Sequence, residues 1–444
     1  MTIIGFGVAI RFVFLRLADQ LGEAKPGPAY LHELEENRAA GLPVTPADMK
    51  HTPIPESLNA APIYLQLVDL LKKKPLSKQD EERVYRLSVP GPLAKEEMES
   101  GRQVLADRPD ISDLVHRAVS RPDCDFDRDY ALGPALATPE FGKMRLAARW
   151  VAGEASILAR DGKTKEAIKY AESGFNIGRQ LSHDPTLIGY LVSLSADTFC
   201  LEALQAILYL AADRSTIAEA VRQAIADKWK VNSLSHALKG ELVLTAVIVD
   251  NFRRYGPRYG KALAGEPDTG TDTSTYLGQA AVNWPVFIDN NGILMLKSLR
   301  ELIAVSDQPY PESHARAVSI TNDIENSGAK AILARNLFTV YDDVIAKRAA
   351  SLGKVRVVTA AAAILAYKQK HGDFPENLKV AMKPAPVDPF DLGPLHYRRE
   401  GKGFVVYSVG PTGKFDGHPK DKKQYNQEAV FRYTAPGFPA APVH

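Results

Sequence analysis

Between Phe141 and Trp229 apolar residues return at helical spacing with few interruptions, which limits the chain to a fold of packed helices. Leu146, Trp150, Ala155 and Leu158 mark one face of a helix that stops at Asp161-Gly162. Ala167, Ala171 and Phe175 mark the next, which ends before Asp184-Pro185, and helices over 187–212 and 217–229 follow. The run from Glu241 to Asp250 is apolar all round yet too short to cross a bilayer, and predicts the most buried helix of the chain. Pro285 opens another apolar helix through Ile293, Leu296, Leu299 and Ile303. Residues 329–371 read as one long helix or two abutting ones, with Gly353 as the place of any break.

On either side of this body the pattern changes. Seven prolines between Gly22 and Pro62 leave room only for short helices, one of them from Ala29 to Ala40. Further short helices are predicted from Ile63 to Lys74, Ser77 to Leu87, Leu93 to Leu105 and Ile111 to Val119. The stretch from Arg253 to Tyr276, rich in Gly, Thr, Ser and Asp, reads as a loop. After Gly372 short β-branched and aromatic runs at Leu395 to Arg399, Phe404 to Ser408 and Val430 to Tyr433 predict strands.

The first residues, Met1 to Leu17, are apolar except for Arg11 and Arg16. That is shorter than the roughly 20 residues of a spanning helix, and a secretory signal's basic start and cleavage site are absent. A shortened membrane anchor, an interfacial amphipathic helix and a first core helix remain open, with membrane association the favoured expectation.

Charge narrows the partners. Lys and Arg total 55 against 53 Asp and Glu, a net charge of +2, so no global field draws the chain to nucleic acid. Cys124 and Cys200, with 75 residues between them, form neither a disulfide framework nor a zinc spacing and read as two free buried thiols, a single long-range disulfide being the alternative.

Catalytic motifs are absent from the sequence: ten histidines give no His-x-x-x-His, and no Gly-x-Ser-x-Gly, Walker or dinucleotide glycine pattern occurs in a strand-to-helix context. Asp123, Asp125, Asp127 and Asp129 alternate as in a calcium loop, but Arg128 and Pro134 stand where an EF-hand requires Gly and Glu. A solvated acidic turn is the expected reading. His183 and His371 end helices, where an imidazole suits the carbonyls, while His116, His236 and His314 are isolated.

Two resemblances add to this reading. The helix pair around Trp150 and Phe175 resembles one tetratricopeptide repeat, with no clean second copy. The segment from Ala360 through Tyr367, His371-Gly-Asp-Phe-Pro375, Val387-Asp-Pro-Phe390 and Phe404-Val-Val-Tyr-Ser-Val-Gly410 to Asp416-Gly417 resembles the globular head of type II secretion major pseudopilins. The likeness covers about a fifth of the chain. It implies a helix ended by a left-handed Gly372, with Leu365 and Tyr367 facing a sheet, a turn at Asp388-Pro389 and a small β-meander. It also implies a calcium loop, in which Ser408 and Asp416 match by position, although Thr412 replaces a common Asp and 417–423 is basic. The leader and first-helix motif of pseudopilins do not precede Val355, so polymerisation is not expected. Gly41 to Pro46, Glu56 to Tyr64 and Arg121 to Phe126 are similar, with the helical pair, to a group of uncharacterised bacterial proteins that combine an N-terminal anchor, a helical body and this C-terminal unit.

The expected fold is mainly α: an apolar segment over 1–20, proline-punctuated short helices over 21–130, an irregular, partly tetratricopeptide-like helical body over 131–353, and a small α+β pseudopilin-like unit over 354–435. The expected function is a non-catalytic scaffold of the cell envelope that binds a protein partner, with Trp150, Phe175 and Tyr190 as groove or core residues. No cofactor is expected, calcium at Ser408 and Asp416 being the exception. The alternatives are a hydrolase with its site between the body and the 256–270 loop, and a cytoplasmic location.

Overall fold

The structure is a computed structural model that describes residues 25–210, 215–256, 259, 284–338, 341–414 and 429–434. The N-terminal apolar segment, most of the 256–270 loop and Asp416 lie outside the described residues.

Fifteen α-helices and three strands are described. The lead-in forms α1 (Pro28–Ala39), α2 (Ala61–Lys73), α3 (Lys78–Ser88), α4 (Lys95–Asp107) and α5 (Pro109–Val119). Proline at the first turn of α1, α2 and α5 costs no hydrogen bond there, and the Ser77 hydroxyl accepts the Asp80 N–H to cap α3. The body follows with α6 (Pro139–Arg160), α7 (Thr164–Ser182), α8 (Leu187–Leu210), α9 (Ser215–Lys228), α10 (Leu234–Tyr255), α11 (Trp284–Val305), α12 (Tyr310–Asn326) and α13 (Ile332–Leu337). The C-terminal unit holds α14 (Tyr341–His371), α15 (Leu378–Ala381) and an antiparallel sheet of β1 (His396–Glu400), β2 (Gly403–Tyr407) and β3 (Val430–Tyr433), with β2 central.

Two apolar cores hold these elements. The first gathers α2 to α9, the second half of α14 and most of the sheet; Trp150, Phe175, Cys200, Ile364, Phe404 and Phe431 are among its members. The second gathers α1, α10, α11, α12 and the first half of α14, with Tyr190 and Leu187 from α8 and with Phe390 and Val409 from the C-terminal unit. Helix α14 therefore runs about 46 Å through both cores. The boundary expected between 353 and 354 falls inside it.

Three expectations need correction. The long helical run breaks after Leu337, not at Gly353, which sits inside α14. There its missing side chain has a packing reason: a Cβ would lie 3.1 Å from Ser408 Oγ and 3.5 Å from Pro389 Cγ. The 241–250 run is not the most buried helix, because α10 packs by one face and leaves Leu244, Val247 and Ile248 half-buried, whereas α8 is enclosed on more sides. Leu365 is buried as expected, but Tyr367 is half-buried and stacks on His371, 4.1 Å between ring centroids. Helix α14 does end at His371, and Gly372 takes φ +83°, a conformation costly for any residue with a Cβ.

Two segments, helix Leu187–Leu210 and the stretch 332–371 that holds α13 and α14, are long and apolar enough to cross a membrane by length and composition, yet 67% of the most apolar window of each is enclosed by the protein.

Candidate functional site

The C-terminal unit is tied to the body by polar as well as apolar contacts. Lys354 Nζ meets Glu202 Oε1 at 2.5 Å, and the Gln205 amide donates to the Val430 carbonyl at 3.3 Å. Tyr209 stacks on Phe431 with centroids 4.5 Å apart. Within the unit, fully buried Asp388 accepts from Phe390 N and Ser408 Oγ at Oδ1 and from Val409 N at Oδ2, each at 2.9 Å. That carboxylate pins the Asp388-Pro389 turn to the end of β2. Ser408 is thus buried and committed to Asp388. Among the described residues Asp388, Asp391 and His396 could hold a metal ion, their ligand atoms lying within 4.8 Å of one another. Three donors already occupy Asp388.

Trp150, Phe175 and Tyr190 are core side chains, each at most 2% exposed. Trp150 donates its indole N–H to Ser112 Oγ, which donates to Glu154 Oε1, while Glu154 Oε2 lies 2.7 Å from His116 Nε2. The hydrogen bond from Glu154 raises the His116 pKa above its ordinary value, against the opposing effect of burial.

A sizeable concavity lies elsewhere. A cleft of about 410 Å³ opens where the lead-in, the acidic turn and the α7–α8 junction meet the first turn of α10. Small-molecule sites span roughly 300–1,000 Å³.

The cleft is built by backbone ties between distant segments. Asn59 grips the acidic turn from α2's N-terminal side, donating to the Asp125 carbonyl and accepting the Asp125 N–H, both at 2.9 Å. Asp123 and Asp125 lie two residues apart on this turn, and Asp125 lines the cleft. Each faces a histidine: His51 Nε2 lies 3.6 Å from Asp125 Oδ1, and His183 Nε2 lies 3.9 Å from Asp123 Oδ1. His236 from α10 reaches the His183 carbonyl at 3.4 Å.

Below this mouth Arg128 is 6% exposed and pairs with both Glu140 and Asp184. Its guanidinium carbon sits 4.9 Å from the centroid of Phe126 and 4.7 Å from that of Phe141. Burial pushes the neighbouring Cys124 thiol and Tyr130 hydroxyl well up, so neither ionises readily near neutrality. Burial also holds His183 below the usual imidazole value, an effect that the Asp123 carboxylate opposes and Arg179 and His236 reinforce. Both cysteines are free and buried, as expected.

The sequence offered no local signal for this cleft. His51, Asp123, Asp125, His183 and His236 are spread over 186 positions and share no motif. His236 lies at the end of α10 opposite Gly256, about 30 Å away along the helix; the site expected beside the 256–270 loop falls mostly outside the described residues. Comparison with protein-family models, with curated proteins and with solved structures gives no match to this chain.

Proposed function

We propose that this protein is a non-catalytic scaffold of the cell envelope whose pseudopilin-like unit is built rigidly into a helical body and engages a protein partner. One observation carries the reading: α14, the helix that supports the sheet, is shared by two cores, so the unit is held in fixed orientation instead of hanging on a linker. The order of elements supports the pseudopilin likeness, with a helix ending at His371, a left-handed Gly372, a buried Asp388 turn and a three-stranded meander. The packing of α6 against α7 across the short connection 161–163 supports the tetratricopeptide likeness for that pair. Membrane association through the first 20 residues belongs to the same reading.

Cross-linking in intact cells followed by fractionation tests it. The expected result is recovery in the envelope fraction in a stoichiometric complex, and a lone monomer in the soluble fraction contradicts it.

A second reading, a hydrolase, draws on the cleft, where His183 beside Asp123 and His51 beside Asp125 form imidazole–carboxylate pairs suited to activating water. Ester and amide substrates hydrolysed by the wild type and not by His183→Ala would favour it over the scaffold.

A further inference from the structure

The cleft carries an inference independent of both readings. Much of its lining is apolar: Ile54, Cys124, Phe126, Tyr130, Phe141 and Leu181 come together there from separate segments. Arg128, the cation set among them, is fully committed. Its Nε faces Asp184, one terminal nitrogen donates to Glu140, and the other donates to the Ala137 carbonyl at 3.4 Å. Asp184 is committed as well, its second oxygen accepting from the Thr186 N–H at 3.1 Å and from the Thr186 hydroxyl at 2.6 Å. With Glu140 and Asp125 nearby, carboxylates outnumber that arginine, which disfavours an anion.

Tyr130 is different. It lines the cleft and is 9% exposed, yet its hydroxyl has no hydrogen-bond partner among the described residues. A buried hydroxyl without a partner is costly, and an accepting atom brought into the cleft offsets that cost. Burial keeps this hydroxyl protonated, so it is a donor near neutral pH, and keeps the Cys124 thiol protonated too, so no thiolate stands beside it. Phe126 and Phe141 already meet edge to face, their centroids 6.5 Å apart at 77°, an arrangement that a third ring can extend.

We infer that the cleft binds an uncharged aromatic small molecule, its ring against Phe126 and Leu181 and an acceptor oxygen, such as a ketone or amide carbonyl, on the Tyr130 hydroxyl. The volume of about 410 Å³ lies within the range of such sites.

Titration calorimetry on the full chain tests this with four probes of similar shape: acetophenone, ethylbenzene without the carbonyl, benzoate as anion and benzylammonium as cation. Acetophenone should bind most tightly, by roughly tenfold over ethylbenzene, the order expected for one hydrogen bond. Tyr130→Phe should weaken acetophenone by the same factor and leave ethylbenzene unchanged. The variant should also keep or raise the wild-type melting temperature, because the hydroxyl it removes bonds nothing in the protein. Absence of acetophenone binding at millimolar concentration, equal binding by Tyr130→Phe, or tighter binding of benzoate or benzylammonium overturns the proposal. So does a lower melting temperature in the variant, which would show the hydroxyl to be bonded within the protein.

Discussion

Asp197 shows how a single buried group sets a pH dependence. It is fully enclosed on α8, and its carboxylate accepts the Trp229 indole N–H at 3.1 Å. Gly178 on α7 leaves it room, since a Cβ there would lie 2.1 Å from Asp197 Oδ1. Burial raises its pKa far above the carboxylate range. The native state therefore holds a proton that the unfolded chain has released by about pH 4, and stability declines as pH rises between the unfolded and the folded pKa. Asp197→Asn keeps the shape and the indole acceptor, so its stability relative to wild type should climb with pH in urea melts from pH 4 to 8. A constant difference would contradict the assignment. His116 has the same sign for another reason, because its partner Glu154 favours the charged imidazole. That contribution is complete below the unfolded value of about 6.5 and is lost as pH rises through the raised folded value. His116→Gln should therefore cost most at pH 6 and little at pH 9 by thermal melting; equal losses at both would argue that the residue acts only through packing.

Elements follow the same rule, that context overrides local preference where two segments touch. Most helices and all three strands were legible because their apolar spacing and end signals agree: Ser77 caps α3, and Gly372 ends α14. Gly353 misled because glycine weakens an isolated helix by about 1 kcal/mol, which suggests a break. The structure uses it instead to bring α14 against Ser408 and Pro389 from the C-terminal turn. These two views predict opposite signs. Helix propensity alone makes Gly353→Leu stabilising, whereas the contact makes it destabilising by roughly 1–3 kcal/mol, the usual cost of overpacking. Chemical denaturation should show a loss. Trp150, Phe175 and Tyr190 illustrate the converse: the periodicity correctly placed them on inward faces, but could not distinguish a core from a groove, because both demand the same apolar stripe.

At the scale of the whole molecule, what the sequence left hidden is how distant segments meet. The cleft draws His51, Asp125, His183 and His236 from four segments whose proximity depends on the packing of α7 and α10. The likeness at the C-terminus identified a unit but not its docking, which depends on non-local pairs such as Tyr209 with Phe431 and Lys354 with Glu202. Because α14 belongs to both cores, the C-terminal unit and the body should unfold together. Differential scanning calorimetry of the full chain and of Phe431→Ala measures this directly. Phe431 is fully buried in the first core, and truncating it should cost about 3–5 kcal/mol. A single transition in both proteins, displaced as a whole to lower temperature in the variant, is the predicted result; two resolved transitions, with the substitution moving only the smaller, would contradict a unit shared between the cores.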